Sequence, residues 1–432
     1  MMRSIRVGIV MLVALAAAVA GGVESGPHDD LGSAVEKRPL ESARPWAYKR
    51  IDRAYEDLKA EHYDLMLETL DEMRRNTKLN ARERALMWQA YAYAYTSQDK
   101  YTEAAAAMEE CLAAEGLDES ATLQMRYNLA QIYVLLERPD EAIREFERWF
   151  ASAPNPSGAA YYMHAMAHVQ KGSKDDALKL ARAAVEKGGA DAKEPWLQLV
   201  ASILIEQKQY QAAVPVLQAL IERYPKKTYW LQLSAVYSGL EQTENALAVL
   251  ELAHRQGLLT QRSELMTLAQ LYLYNQIPGR AAAVIEQGVR AKVIEPDART
   301  YQLLADSLLH SRQREAAMAP LQKAAELSEN GNASMRLAQV YLEREDWHDA
   351  RGALAKAIEK GGLTSPGHAY LLLGIANANE KRWGEAEQAF QLAHGYEPVQ
   401  GPADYWLTHL AGQRDAERGG PHVAQGGAAP SS

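Results

Sequence analysis

Residues 128–150 read NLAQIYVLLERPDEAIREFERWF, and this stretch contains the pattern from which the fold can be predicted. Apolar and small residues recur at helical spacing on both sides of a short polar break. Ala130 stands before the break, and Ala142 stands twelve residues later. Tyr133 follows the first alanine by three residues, and Phe146 follows the second by four. Because apolar residues at this spacing line one face of an α-helix, the stretch predicts two helices joined by a tight turn.

The same pattern recurs along the chain with a period of 33 to 38 residues. The small residue after the turn, with one methionine, stands at Met66, Ala104, Ala142, Ala177, Ala213, Ala246, Ala281, Ala317, Ala350 and Ala386. Twelve residues earlier stand Ala54, Ala92, Ala130, Ala165, Ala201, Ser234, Ala269, Ala305, Ala338 and Gly374. Large apolar residues follow at Met108, Phe146, Leu217, Leu250, Ile285, Leu321, Leu354 and Phe390, and tyrosines at Tyr95, Tyr133, Tyr237, Tyr272 and Tyr341. This resembles the tetratricopeptide repeat, a helix–turn–helix unit with a period of about 34 residues.

The repeat predicts an all-α fold, a tetratricopeptide superhelix (solenoid) of about ten units across residues 44–410. Its small residues allow the two helices of a unit to cross closely, and its large residues fill the space to the next unit. Because one hairpin cannot bury its own apolar face, the stacking of neighbours stabilises such an array. The repeated residues are therefore expected in the core. The first unit has Met66 where alanine is usual and is expected to act as a cap.

Composition excludes several other classes. Tyrosine outnumbers phenylalanine by 22 to 3, long β-branched runs are missing, and a sheet-based fold is not expected. The net charge of −9 comes without a basic stripe, so nucleic acid is not an expected partner. The single cysteine, Cys111, excludes an internal disulfide and a thiolate zinc cluster, and a buried inert thiol is expected.

The ends of the chain differ from the repeats. Residues 1–20 combine Arg3 and Arg6, an apolar run and small residues before a glycine pair, which is typical of a signal peptide. The apolar run is shorter than the ~20 residues that span a bilayer, although an uncleaved anchor is the alternative. Residues 21–43 are expected to form a flexible linker and residues 411–432 a disordered tail. These features predict an exported protein of the periplasm, with membrane contact only indirect or through an uncleaved N-terminus.

The sequence contains little that indicates catalysis. It has no glycine-rich phosphate loop and no Gly-x-Ser-x-Gly nucleophile motif. His164 and His168 stand four residues apart on a predicted helix, a spacing that suits a metal ion. No third ligand stands nearby in the sequence, and His168 takes a position where other units have tyrosine. Packed or hydrogen-bonded histidines are therefore expected, with no metal, no cofactor and no enzymatic activity.

The first helix of each unit is expected to line a concave groove. The positions predicted to be exposed there carry amides, phenols and thioethers with little charge. They are Gln89, Tyr93, Gln124, Tyr127, Gln131, Tyr162, Gln198, Met266, Gln270, Gln302, Met335 and Gln339. Because amides both donate and accept hydrogen bonds, and Tyr and Met give adaptable apolar contact, the groove is expected to bind a peptide segment or a helix.

Several stretches go beyond the generic repeat. They are Trp149–Phe150, Ala153–Ser157, Trp196–Leu199, Tyr224–Lys227, Tyr229–Leu233, Gln256–Leu259, Leu268–Tyr272, Lys360–Leu363 and Pro366–Gly374. In this order they resemble the periplasmic tetratricopeptide proteins that accompany some TonB–ExbB–ExbD systems, over residues 44–410. The segments between Trp196 and Tyr272 are the most distinctive.

The resemblance implies an accessory subunit of an energy-transducing envelope complex. TonB, ExbD and ExbB would be its protein partners, and outer-membrane transport of iron–siderophore complexes would be its setting. No catalytic residue follows from it, because the motif of the family is structural. Two alternatives stay open: a scaffold of another envelope machine, such as polysaccharide export or pilus assembly, and a metal-dependent enzyme that uses His164 and His168.

Overall fold

A computed structural model of the protein describes residues 41–417. Within that range all regular structure is helical, and no β-strand occurs. The 21 α-helices of this range form ten hairpins and one last helix, and they divide into two compact units with the boundary between residues 225 and 226. The prediction of an all-α repeat fold is confirmed. The predicted signal peptide, and the linker as far as residue 40, lie outside the described residues.

The first unit contains five hairpins. Its helices are α1 Pro45–Lys59, α2 Tyr63–Arg74, α3 Ala81–Ser97, α4 Tyr101–Ala113, α5 Glu119–Leu135, α6 Pro139–Phe150, α7 Gly158–Lys171, α8 Lys174–Gly188, α9 Glu194–Glu206 and α10 Tyr210–Arg223. A short 3-10 helix, Gly189–Asp191, joins the fourth hairpin to the fifth.

The second unit contains five hairpins and the last helix. Its helices are α11 Lys227–Gly239, α12 Thr243–Arg255, α13 Arg262–Tyr274, α14 Pro278–Arg290, α15 Ala298–His310, α16 Arg314–Leu327, α17 Asn332–Glu343, α18 Trp347–Lys360, α19 Pro366–Asn379, α20 Trp383–His394 and α21 Gln400–Glu417. The helix α21 extends beyond residue 410 and into the segment that the sequence predicts to be a disordered tail. Residues 418–432 lie outside the described part of the chain.

The repeated small residues form the core of each hairpin, as predicted. All ten residues after the turn, from Met66 to Ala386, have 0% exposure. Their partners twelve residues earlier are buried as well. At Gly374 a Cβ atom would stand 2.5 Å from the Phe390 ring, so the helices α19 and α20 approach too closely for any side chain there. The Phe390 ring fills that space and is fully buried.

Each hairpin turns through one residue with a left-handed backbone. These residues stand five before the repeated small residue, have φ between +56° and +82°, and are Glu61, Asp99, Glu137, Gly172, Lys208, Glu241, Gln276, Arg312, Glu345 and Lys381. The next residue donates its backbone N–H to the carbonyl five residues earlier, as Arg138 does to Tyr133 at 2.9 Å. This is the bond of a Schellman motif, which satisfies a carbonyl at the end of the first helix.

Tyrosine hydroxyls join successive hairpins. Tyr133 on α5 donates to the Glu109 carboxylate on α4, and Tyr91 on α3 donates to Asp71 on α2 at 2.5 Å. The aromatic ring therefore fills the space between hairpins, and its hydroxyl fixes the contact to an acidic partner.

The outer side of the first hairpin differs from all the others. Lys49 and Arg53 on α1 are exposed, whereas the equivalent residues of the second hairpin, Met87 and Tyr91, are buried. Charged side chains keep this face in water, and no preceding hairpin covers it among the described residues. The arrangement agrees with the prediction that the first unit acts as a cap.

Candidate protein-binding surface

The twelve predicted groove residues all lie on first helices. Three of them are exposed (Gln124, Gln270 and Gln302), Gln131 is buried, and the rest are partly buried: Gln89, Tyr93, Tyr127, Tyr162, Gln198, Met266, Met335 and Gln339. The contacts that these side chains make differ between the two units.

In the first unit Gln131 is not a surface residue. Only 2% of it is exposed, and its Nε2 atom has no hydrogen-bond partner among the described residues. The expectation of exposure was wrong because α5 and α7 contact each other directly. Gln170 on α7 donates to the Val134 carbonyl on α5 at 2.9 Å, which ties the two first helices together.

The predicted tyrosines of the first unit pack on neighbouring rings. Tyr127 lies 4.9 Å from Trp149 and 5.9 Å from Phe146, measured between ring centroids, and burial raises its pKa to about 12. Tyr162 stacks on Trp196 at 6.3 Å. Tyr127 is thus part of the packing within the third hairpin, and Tyr162 is part of the packing between the fourth and fifth hairpins.

Gln89 and Tyr93 form a polar pair on α3. The Gln89 amide lies 3.3 Å from the Tyr93 hydroxyl, to which it donates, and burial raises the Tyr93 pKa. Gln124 donates in the same way to Asn128 at 2.9 Å, one turn further along α5. Because these amides already have partners within their own helices, they offer less to an incoming peptide than the sequence indicated.

The second unit brings three predicted residues together. Gln302, Met335 and Gln339 line a depression of about 340 Å³, and Met335 and Gln339 also line an adjoining one of about 310 Å³. The first depression is lined by Gln302, Asp306, His310, Asn332, Met335, Arg336 and Gln339. The second is lined by Asn332, Met335, Gln339, Leu363, Thr364, Ser365, His368 and Leu372. Met266 and Gln270, on α13, are not among the residues that line them.

Asp306 is the acidic group of the first depression. Burial raises the pKa of its carboxyl group, and Arg336 partly opposes that shift with its Nε atom 3.7 Å from Oδ1. Arg336 also lies 3.5 Å from the Gln339 amide oxygen. The depression is therefore close to neutral, with one cation and one anion that compensate each other.

The rim of the second depression is held by Asn332. Its Oδ1 atom accepts hydrogen bonds from the Thr364 backbone N–H at 3.0 Å and from the Thr364 hydroxyl at 3.1 Å. Its Nδ2 atom donates to the Gly362 carbonyl at 3.0 Å. The loop between α18 and α19 is thus fastened to the start of α17, which gives the depression a defined edge.

Sequence reasoning missed several residues of these depressions. Asp306 stands four residues after Gln302, so both occupy one face of α15. The spacing alone could therefore have predicted that Asp306 lies next to Gln302. Asn332 and His368 stand near the starts of α17 and α19, where the repeat pattern gives no guide to orientation.

A larger groove of about 950 Å³ lies between α16 and α18. Leu337 and Ser334 from α17 are among its lining residues. Its charged residues include Glu326 and Glu359 together with Lys356 and Lys360. Charges of both signs alternate, so this groove favours no particular partner chemistry.

His164 and His168 form a contact in the fourth hairpin. Their Nε2 atoms lie 3.3 Å apart, and both Nδ1 atoms are buried without a hydrogen-bond partner among the described residues. Burial, and secondarily the neighbouring His168, lowers the pKa of His164 to about 4. Across residues 41–417 no group of three or more His, Cys, Asp and Glu residues is arranged to hold a metal ion.

Cys111 is buried on α4, as expected. Its thiol contacts the Ala85 carbonyl at 3.1 Å, and burial raises its pKa to about 12. A thiol with so high a pKa holds almost no thiolate at neutral pH and is unreactive. In the part of the chain that the structure describes, no helix combines the length and the apolar character needed to cross a bilayer.

Comparison with known proteins adds to this description. Overlapping stretches at residues 90–159, 127–195 and 162–228, and a further stretch at 335–398, match the sequence profile of the tetratricopeptide repeat. No curated protein sequence matches the chain significantly.

Three solved structures are similar to parts of the chain. A tetratricopeptide repeat protein from Parabacteroides merdae is 15% identical, with a TM-score of 0.36, over 60% of this chain and 99% of its own. The C-terminal part of a repeat protein from Cytophaga hutchinsonii is 17% identical, with a TM-score of 0.36, over 65% of this chain and 99% of its own. YrrB, a tetratricopeptide protein with an unusual peptide-binding site, is 18% identical, with a TM-score of 0.36, over 44% of this chain and 96% of its own. Residues 90–228 and 335–398 of this chain are tetratricopeptide repeats, by their own sequence match and by the hairpins that they form.

Proposed function

We propose that this protein is a scaffold that binds other polypeptides, and that the two depressions of the second unit form its binding site. The observation that carries the proposal is that Gln302, Met335 and Gln339 meet in the first depression, and that Met335 and Gln339 continue into the second. Two amides supply donors and acceptors for an extended backbone, and the thioether adapts to apolar side chains. A binding role, rather than catalysis, also agrees with the repeat fold.

The proposed setting is the periplasm, as an accessory subunit of a TonB–ExbB–ExbD complex that serves outer-membrane transport of the iron–siderophore type. Support comes from the signal-peptide pattern of residues 1–20 and from the sequence resemblance between Trp196 and Tyr272. In this proposal the segment that the depressions bind belongs to a periplasmic part of TonB, ExbD or ExbB.

Site-specific photo-crosslinking in intact cells tests both the proposed binding site and the proposed TonB–ExbB–ExbD setting. A photoreactive amino acid is placed at Gln302 or at Gln339, and the control position is Gln287, an exposed glutamine on α14. We expect crosslinked products from the first two positions and none from the third. Identification of TonB, ExbD or ExbB by mass spectrometry would support the proposed setting.

The possible outcomes distinguish a failure of the binding site from a failure of the TonB setting. Products that contain polysaccharide-export or pilus components would keep the binding site but replace the TonB setting. Equal products from all three positions, or none from Gln302 and Gln339, would reject the binding site itself.

A further inference from the structure

The fourth hairpin departs from the repeat at two positions of α7. His164 stands where six other hairpins have leucine: Leu129, Leu233, Leu268, Leu304, Leu337 and Leu373. His168 stands where five have tyrosine: Tyr95, Tyr133, Tyr237, Tyr272 and Tyr341. The two departures are one helical turn apart, so two core positions on one face of one helix carry imidazoles. A packing role alone does not explain the change, because the repeat fills these positions with leucine and tyrosine elsewhere.

The two rings face each other through their Nε2 atoms. The separation of 3.3 Å is long for a hydrogen bond between nitrogen atoms. It equals the distance of about 3.3 Å between two ligands of a tetrahedral Zn²⁺ with Zn–N bonds of 2.0–2.1 Å. The His164 ring lies 5.3 Å from both the Phe146 and the Phe150 rings, which fix its position.

A neutral histidine pair leaves buried polar atoms without partners. If one Nε2–H donates to the other Nε2, the accepting ring must carry its proton on a buried Nδ1 atom. Neither Nδ1 atom has a hydrogen-bond partner among the residues that the structure describes. A buried donor without an acceptor is costly, so the hydrogen-bonded pair needs a carboxylate close to the accepting ring.

A bound cation would likewise require a partner for the Nδ1 atom of His168. Both Nε2 lone pairs would bind the ion, and both Nδ1 atoms would carry protons. The Nδ1 atom of His168 lies 3.8 Å from the Asp176 carboxylate on α8, which would then receive that proton in a bridge. Such carboxylate–histidine–metal arrangements orient the ligand and strengthen it. Neutral imidazole is the form of histidine that binds metals.

We propose that His164 and His168 together bind one divalent transition-metal ion of the Zn²⁺ class, with Asp176 supporting His168 from the second helix. Water would have to fill the two remaining ligand positions, because among the described residues no third His, Cys, Asp or Glu is arranged to bind the ion. The side chain of His168 is 12% exposed, so the pair lies at the edge of the core rather than at its centre. This site goes beyond the proposed protein-binding function and does not depend on it.

Equilibrium dialysis of the full chain against ZnCl₂ tests the site. The informative variants are His164→Leu and His168→Tyr, because each restores the residue that the repeat uses elsewhere and is therefore expected to fold. We expect one equivalent of Zn²⁺ in the wild type and a loss of affinity of at least about tenfold in each variant. The matched control is His62→Gln, an exposed histidine of the first hairpin, which should bind like the wild type.

A second readout reports on the site directly. In proton NMR spectra, Zn²⁺ should shift the imidazole resonances of His164 and His168 before those of other histidines. A circular dichroism melt confirms that each variant is folded. Three results would overturn the proposal: no bound equivalent in the wild type, unchanged binding in both folded variants, or imidazole shifts confined to other histidines.

Discussion

Tyr133 combines the two features that a core residue of this repeat requires. Only 4% of it is exposed, and its hydroxyl donates to the Glu109 carboxylate of the preceding hairpin. We expect Tyr133→Ala to lower the free energy of unfolding by about 3–5 kcal/mol, the usual range for a truncated buried aromatic residue. Tyr133→Phe keeps the ring and should cost only about 1 kcal/mol, the value of one hydrogen bond. Urea unfolding measures both, and equal losses would show that the ring contributes little packing.

His164 makes stability depend on pH. Burial lowers its pKa in the folded protein to about 4, whereas the unfolded chain has the ordinary value of about 6.5. The unfolded state therefore binds the proton first, so the stability is fully present above about pH 6.5 and is lost as the pH falls toward 4. Between about pH 7 and pH 5 we expect the metal-free wild type to lose about 2 kcal/mol more than His164→Leu does. Parallel thermal melts of the two proteins measure this, and identical pH profiles would contradict it.

At single positions the sequence predicted the apolar core better than the surface. Ala142 and its equivalents were identified because their spacing repeats, and burial follows directly from that spacing. Gln131 is buried although its position in the repeat alignment predicts exposure. Its actual burial depends on the contact between α5 and α7, and no property of the residue itself reports that contact.

The turns were predicted in place but not in conformation. A left-handed position in a turn is usually occupied by glycine, yet among these ten turns only Gly172 is a glycine. The other nine turns force Glu, Lys, Asp, Gln or Arg into that conformation, which costs about 1–2 kcal/mol relative to the right-handed form. Stacking of the hairpins compensates, so the repeat tolerates residues that an isolated turn would not favour.

Glu137 tests this account of the turns. It has φ of +56° between α5 and α6 and is exposed. Glu137→Gly removes the strain of the side chain but adds flexibility to the unfolded chain, so we expect a net gain of up to about 1 kcal/mol. Glu137→Val, which places a branched side chain at the same φ, should destabilise by about 1 kcal/mol or more. Urea midpoints measure both, and a glycine variant less stable than the valine variant would contradict the turn geometry.

For the molecule as a whole, the repeat predicted the number and order of the hairpins, because period and pattern are properties of the sequence. It did not predict where a cavity opens. Gln89 and Gln302 occupy equivalent positions, yet Gln89 bonds to Tyr93 on its own helix while Gln302 lines a depression. The difference begins with the residue four positions later on the same helix, Tyr93 in one case and Asp306 in the other, which the single position does not encode.

Equivalent first-helix positions across all ten hairpins carry little charge. The two positions that Gln302 and Asp306 occupy on α15 hold, in the other nine hairpins, only uncharged residues. A partner held through such positions gains little from long-range electrostatics. We therefore expect its affinity to change by less than about threefold between about 50 and 300 mM NaCl. Fluorescence anisotropy with a labelled peptide, taken from the segment that crosslinks to Gln302, measures this.

Met335 provides the matched variants for that binding assay, because it lies in both depressions of the second unit and is partly exposed. Met335→Glu adds a charge next to the apolar contact surface, so we expect a loss of at least about tenfold in peptide affinity with an unchanged melting temperature. Met335→Leu keeps an apolar side chain of similar size and should bind within about threefold of the wild type. If Met335→Glu bound as tightly as Met335→Leu, the peptide would have to lie elsewhere. A steep salt dependence would likewise point to a charged surface, such as the groove between α16 and α18.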